Sequence, residues 1–378
     1  MKKESPKFRI RIVRLNISHR SQRSFEQKFQ IKDKSNQKII ENNKALKKID
    51  YFRSKGVDIR KTKKRYLTIW LPEKLNFSTD FEVTTLYINS IRYLVEMIGN
   101  RESKLRLRSI RFDKIKKASS AAALVLTSEI SKWDGRVNHR LIPTVHHWDP
   151  LIYQQFSSLG YFEIFPSLKD KFNCEKNSGD NNILRYIKGT IGEHDKTRQL
   201  KKGIKELIGK KELDKWIFLH SGIGEAILNV THHAYPEEQT RTHEKDWYLT
   251  ASFNKRSREL KVSFYDQGVG IPATLPTSHA REYLKRYLRR LRLSDDFDSM
   301  MIRAALSYGR TRTNKGDRGK GLQDMLQFIK QRGNGYLSII SSHGLCKVTV
   351  ESGVQTIKTV DFDQSLPGTL IIWSVTVP

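Results

Sequence analysis

Gly224-Glu225-Ala226-Ile227-Leu228-Asn229-Val230-Thr231-His232-His233-Ala234 is the stretch on which the reading of this chain turns. Glu225 and Asn229 are four residues apart, so on a helix they share one face. Ile223, Ile227, Leu228 and Val230 supply the apolar side that such a helix needs to bury. A carboxylate one turn from a carboxamide suits a hard cation and a water beside phosphate oxygens, because such cations take oxygen ligands. Taken alone, the segment also reads as an ordinary amphipathic helix with a polar face.

Two further stretches follow in order. Leu260-Lys261-Val262-Ser263-Phe264-Tyr265 alternates as a strand does. It runs into Asp266-Gln267-Gly268-Val269-Gly270-Ile271-Pro272. A carboxylate at a strand end can accept a hydrogen bond from an exocyclic amine, and two glycines suit close approach to the backbone. A plain turn is the competing reading, since Asp and Gly are common there. Then Gly316-Asp317-Arg318-Gly319-Lys320-Gly321-Leu322 enters an apolar-periodic helix containing Met325, Leu326, Phe328 and Ile329. A glycine-rich loop entering a helix presents N–H groups and a positive dipole end to phosphate. Its spacing and ending differ from the Walker A loop. No acidic residue after a second strand completes a dinucleotide fingerprint.

In this order the three stretches resemble the boxes of the GHKL ATPase superfamily, which includes gyrase-type topoisomerases, sensor histidine kinases, anti-sigma-factor kinases and mismatch-repair ATPases. Glu225 to Ala234 is similar to its N box, Asp266 to Pro272 to its first glycine box, and Gly319 to Leu322 to its second. Gly333 to Ser341 resembles the family's turn into a strand, and Pro367 to Trp373 its closing strand. The resemblance covers residues 181–378. It implies a Bergerat-type α/β sandwich that binds ATP with magnesium. Carried over residue by residue, it implies that Glu225 orients or deprotonates a nucleophile and that Asn229 holds the metal. Asp266 would bind the adenine amine, with Thr369 nearby. Gly268 and Gly270 would admit the nucleotide, and Gly319, Lys320, Gly321 and Leu322 would wrap its phosphates. His232 and His233 fall where kinases of the family carry a basic phosphate contact and a histidine. Each histidine taken singly reads as a plain core or surface residue.

The segment between the glycine boxes departs from the family in being long and very basic. Lys285, Arg286, Arg289, Arg290 and Arg292 crowd the dozen residues from Arg281 to Arg292, and Lys285, Arg289 and Arg292 share one helical face. The whole chain has the same bias: 70 Lys and Arg against 40 Asp and Glu give a formal charge of +30. Such a balance favours polyanions, namely nucleic acid or an acidic protein, with a solubilising surface as the bland reading. No helix-turn-helix, zinc-finger or RNA-binding signature marks a sequence reader.

The length of 378 residues allows two domains. No apolar run is long enough to cross a membrane, and the basic N-terminus lacks a secretory-type apolar segment, so a cytoplasmic location and no membrane contact are expected. Cys174 and Cys346 lie far apart and give neither a disulfide framework nor a metal pattern.

Four segments are expected. Residues 1–65 form a basic N-terminal arm holding one strand, Phe8–Leu15. Its polar stretch from Ser18 to Lys55 is open to reading as helix, arm or disorder. Residues 66–168 alternate: strand Tyr66–Trp70, helix Phe81–Ile98, strand Leu107–Phe112, helix Ala118–Trp133, strand Leu141–Val145, and a helix capped by Asp149. Alternation of this kind argues for an α/β layer. Residues 169–180 are a linker, and 181–378 the nucleotide-binding domain. The 66–168 segment resembles a STAS domain in Ile110 to Asp113, Lys117 to Ala121, and Leu159-Gly160-Tyr161-Phe162. It departs from that family at Ala118 and Ala121, where Asp and Gly are usual. The resemblance makes Ser119 or Ser120 a phosphoacceptor; a helix N-cap serine is the plainer reading.

The combined expectation is an ATPase whose basic lid closes on nucleotide and regulates a polyanion or protein partner, in bacterial (antiviral) defence or stress control. The alternatives are an anti-sigma-factor-like serine kinase acting on a STAS-type partner, and an ATP-gated scaffold without turnover. A homodimer and a complex with other subunits are both open.

Overall fold

Ala45, Ile49 and Phe52 recur at helical spacing within a lysine-rich stretch, and residues 43–54 form helix α1, which buries all three. The computed structural model describes residues 43–62, 65–99, 105–131, 141–165, 180–190, 193–208, 216–236, 245–274, 289, 297–308 and 321–377. The expected strand Phe8–Leu15 and residues 169–179 of the expected linker lie outside them.

After α1 come β1 (Asp58–Thr62), β2 (Tyr66–Trp70), β3 (Lys74–Leu75), α2 (Phe81–Gly99), β4 (Arg106–Arg111), β5 (Lys117–Ala118), α3 (Ser120–Ser131) and α4 (Pro150–Leu159). β2 is central in a three-stranded sheet, antiparallel to β1 and parallel to β4, and β3 pairs with β5 in parallel. Parallel pairs need crossovers, which α2 supplies between β2 and β4. Asp149 accepts from the Leu151 N–H at 3.0 Å and caps α4, while Gly160 ends it at φ 92°.

Within the expected N-terminal arm, residues 43–54 take the helical option, and α1 and β1 belong to this layer through Ile49, Phe52, Val57 and Ile59. One expectation changes here. Leu141–Val145 is not a strand. It is irregular, with Leu141 and Pro143 buried, and Pro143 has no N–H to give a ladder.

The second half contributes β6 (Asn181–Ile183), β7 (Ile187–Gly189), α5 (Thr197–Leu207), α6 (Trp216–Asn229), β8 (Trp247–Asn254), β9 (Glu259–Asp266), α7 (Ile271–Thr274), α8 (Asp298–Tyr308), α9 (Gly321–Arg332), β10 (Gly335–Glu351) and β11 (Val354–Thr376). Its sheet has the order β10-β11-β9-β8-β6, with β7 also on β8, and every pairing is antiparallel. The molecule is therefore mixed α/β with open sheets.

Side chains alternate across this sheet and bury on both faces. Val262, Phe264, Ile371 and Trp373 pack against Ile223 and Ile227 of α6 and Phe328 of α9. On the other face Tyr248, Tyr265, Leu370 and Ile372 join the core of the N-terminal layer. Polar contacts reinforce that second interface. The Glu82 carboxylate accepts from the N–H groups of Asp363 (2.7 Å) and Gln364 (2.9 Å). Asn89 donates to the Ser365 carbonyl at 3.0 Å, and the Phe81 and Phe362 rings stack at 3.6 Å. Among the described residues, no helix is long and apolar enough to cross a membrane.

Trp373 is fully buried, and its indole donates to the Met325 carbonyl of α9 at 2.8 Å. Trp373→Ala is expected to destabilise the protein by about 3–5 kcal/mol, and Trp373→Phe by less. Urea denaturation of the two variants beside the wild type checks the order.

Candidate nucleotide site

Asp266 ends β9, paired in register with Trp247 of β8 and Thr369 of β11. The central position in the sheet removes it from water, and only 5% of it is exposed. Oδ1 accepts from the Gly268 N–H at 2.8 Å. Burial pushes the carboxyl up to about 7, against the Gly268 N–H and the side chain and backbone of Thr369, which favour the charged form.

Ser341 of β10 completes this corner. Its hydroxyl accepts from the Ile271 N–H at 2.9 Å, donates to the Gly368 carbonyl at 3.1 Å and lies 3.1 Å from Thr369 Oγ1. Sequence reasoning placed Ser341 in a strand and gave it no role. Its register opposite Thr369 is what brings it here.

The two glycines serve the protein's own packing. A Cβ on Gly268 would lie 2.3 Å from the Ala234 carbonyl oxygen, and Gly270 stands at φ 89° with a Cβ position 2.8 Å from Ser341 Oγ. Gly268 thus lets the turn after β9 meet the end of the Glu225–Ala234 segment. That segment is α6 followed by a π-helical turn over Val230–Ala234. Such wide turns occur mostly as single insertions, often at functional sites. The Val269 N–H donates to the Ala234 carbonyl at 2.8 Å. The Tyr235 hydroxyl accepts from the Gln267 N–H at 3.1 Å and donates to the Asp246 carbonyl at 3.0 Å. Tyr235 went unread in the sequence because it lies one residue past the motif.

α6 buries Leu219, Ile223, Ala226 and Ile227 and leaves Glu225 and Asn229 together on its half-buried side. Leu228, expected on the apolar side, is 37% exposed. His232 and His233 are exposed, their rings 5.9 Å apart. Partial burial, then the neighbouring His232, hold His233 below the usual imidazole range. An acid and an amide on one helical face form a donor set suited to a dication that takes its other ligands from phosphate and water. Among the described residues, no group of three or more His, Cys, Asp or Glu converges.

Gly321 and Leu322 open α9. Gly319, Lys320, Lys285, Arg286, Arg290 and Arg292 lie outside the described residues, and Arg289 is described as an exposed helical residue. In the N-terminal layer, Ser119 Oγ accepts from the Ala122 N–H at 3.2 Å, as an N-cap does, and Ser120 bonds Ser252 at 3.0 Å. Comparison with protein families and with curated proteins gave no match to this chain.

The raised Asp266 carboxyl fixes a pH dependence. With its ordinary value at 3.8 and its folded value at about 7, protonation favours the folded state. That contribution is fully present below about pH 3.8 and is lost as pH rises through about 7. Asp266→Asn stays neutral throughout. Without ligand it should melt above the wild type at alkaline pH, with the gap closing as the pH falls toward 4. Melting curves across that range check the sign.

Proposed function

We propose that residues 181–378 bind ATP with magnesium as a GHKL-type ATPase, and that closure of the basic segment between the glycine boxes regulates a polyanion or protein partner. The observation that carries this reading is the Asp266 corner. A carboxylate this buried is costly in its charged form, and an exocyclic amine donating to it offsets the cost. Thr369 and Ser341 place two hydroxyls beside it. The turn holding Asp266 is bonded to the end of the helix that carries Glu225 and Asn229. That bond supports a reading in which adenine recognition and phosphate chemistry lie on adjoining segments. The N-terminal layer, with its strand–helix alternation and the Gly160 helix stop, supports a STAS-like reading for residues 66–168.

In this mechanism Asn229 would hold the magnesium, which would supply charge neutralisation at the phosphates. Glu225 takes a proton from a water as that water's oxygen bonds the γ-phosphorus. The bond from that phosphorus to the β,γ-bridging oxygen breaks, and ADP leaves with the electron pair. His232, His233 and the Gly319–Leu322 loop belong to the phosphate end by resemblance.

ATP with magnesium at about a hundred times its Kd should stabilise the protein by roughly 2.7 kcal/mol. Asp266→Asn should abolish that shift. Glu225→Gln should keep the affinity and lose turnover, because a water-orienting carboxylate acts in the transition state. Incubation with γ-labelled ATP separates the chemistries: free phosphate marks an ATPase, labelled protein a kinase and retained nucleotide a scaffold. An unshifted melting curve for the wild type overturns the reading.

The charge of +30 supports a polyanion partner. Binding to random-sequence duplex DNA should weaken with salt at a log–log slope of about −0.9 per phosphate neutralised. Replacing Arg286, Arg289, Arg290 and Arg292 by Ser should flatten that slope and leave ATP affinity within about threefold, since the ATP contacts lie elsewhere. Filter retention at low and moderate salt measures both. No retention at low salt would turn the reading to a protein partner.

A further inference from the structure

Glu129 of α3 is fully buried. Arg92 of α2 holds it in a two-pronged contact, Nε donating to Oε2 at 3.0 Å and Nη2 donating to Oε1. Gln267 Nε2 also donates to Oε1, at 2.8 Å. The Tyr265 phenol, kept protonated by burial, donates to the Pro367 carbonyl at 2.7 Å and reaches Glu129 Oε1 at 3.3 Å. One carboxylate of the N-terminal layer therefore touches the residues on both sides of Asp266. Through Tyr265 it also reaches the backbone two residues before Thr369.

Stability alone does not account for this arrangement. A buried ion pair is often no better than apolar side chains of the same volume, whereas its fixed geometry selects one packing. Here that geometry is spent on the two neighbours of the most buried carboxylate in the candidate site. We propose that Glu129 is a positioning residue for the nucleotide site, so that the N-terminal layer sets the orientation of Asp266 and with it the affinity for ATP. The proposal rests on the reading of Asp266 as the adenine contact. By linkage, nucleotide bound at Asp266 tightens the Arg92–Glu129–Gln267 contact by the same factor.

Gln267→Met leaves the Arg92–Glu129 pair intact and removes the bond to Gln267. It should weaken ATP binding about tenfold. In the protein without nucleotide it should speed amide exchange over residues 264–270 and leave β10 unchanged. Gln267→Glu sets two carboxylates face to face and should weaken binding at least about tenfold. Calorimetric titration with ATP and peptide-resolved exchange read both effects. Unchanged affinity in Gln267→Met, with or without faster exchange, overturns the proposal and leaves the ATP reading standing. So does unchanged affinity in Gln267→Glu. A wild-type protein that binds no ATP overturns both.

Discussion

Ile371, Trp373 and Val375 leave β11 on one side, and Leu370 and Ile372 leave it on the other. A strand built this way cannot keep either face in water, since each large aliphatic side chain buried contributes about 1.5–3 kcal/mol. The rest of the molecule follows from covering both faces. Helices α6, α8 and α9 cover one. The N-terminal layer covers the other and shares a core with it. Because β9 lies between two strands, its last residue is carried into a dry corner while its backbone bonds stay made.

Much of this was legible in the chain, for physical reasons that can be named. The alternation in Leu260–Tyr265 marks β9, and the apolar spacing around Met325 and Phe328 marks α9, because burial on one side imposes a period. Asp149 before Pro150 marks a helix start. Other features were not legible. The buried side of α1 has three residues, Ala45, Ile49 and Phe52, set among lysines whose charge dominates the composition. Leu141–Val145 has strand-like residues but no partner strand among the described residues, and periodicity says nothing about partners. The change from α to π geometry at Val230 has no composition signature at all. Glu129 carries no local sequence signal, because its partners lie 37 and 138 residues away.

The candidate site joins legible and illegible parts in the same way. Glu225, Asn229 and Asp266 follow from type and spacing. Gly268, whose missing side chain lets the Ala234 carbonyl approach, brings the turn after Asp266 to the end of the segment that carries the other two. A glycine that reads in sequence as room for a ligand is here also room for the protein's own backbone. Ser341 and Tyr235 enter through register and chain reversal, which no local pattern encodes.

The position of β11 also bears on synthesis. It inserts between β10 and β9, and 102 residues separate Tyr265 from the Pro367 carbonyl it bonds. The residues of β8 and β9 are therefore synthesised well before those of the strand that pairs with the other edge of β9. The N-terminal layer emerges earlier still and waits for Leu370 and Ile372 to complete its core. An open edge beside exposed apolar side chains is the kind of surface that invites wrong pairing and draws chaperones. Until residues 369–376 have been made, the β9 edge and the N-terminal layer both lack the strand that covers them in the folded protein.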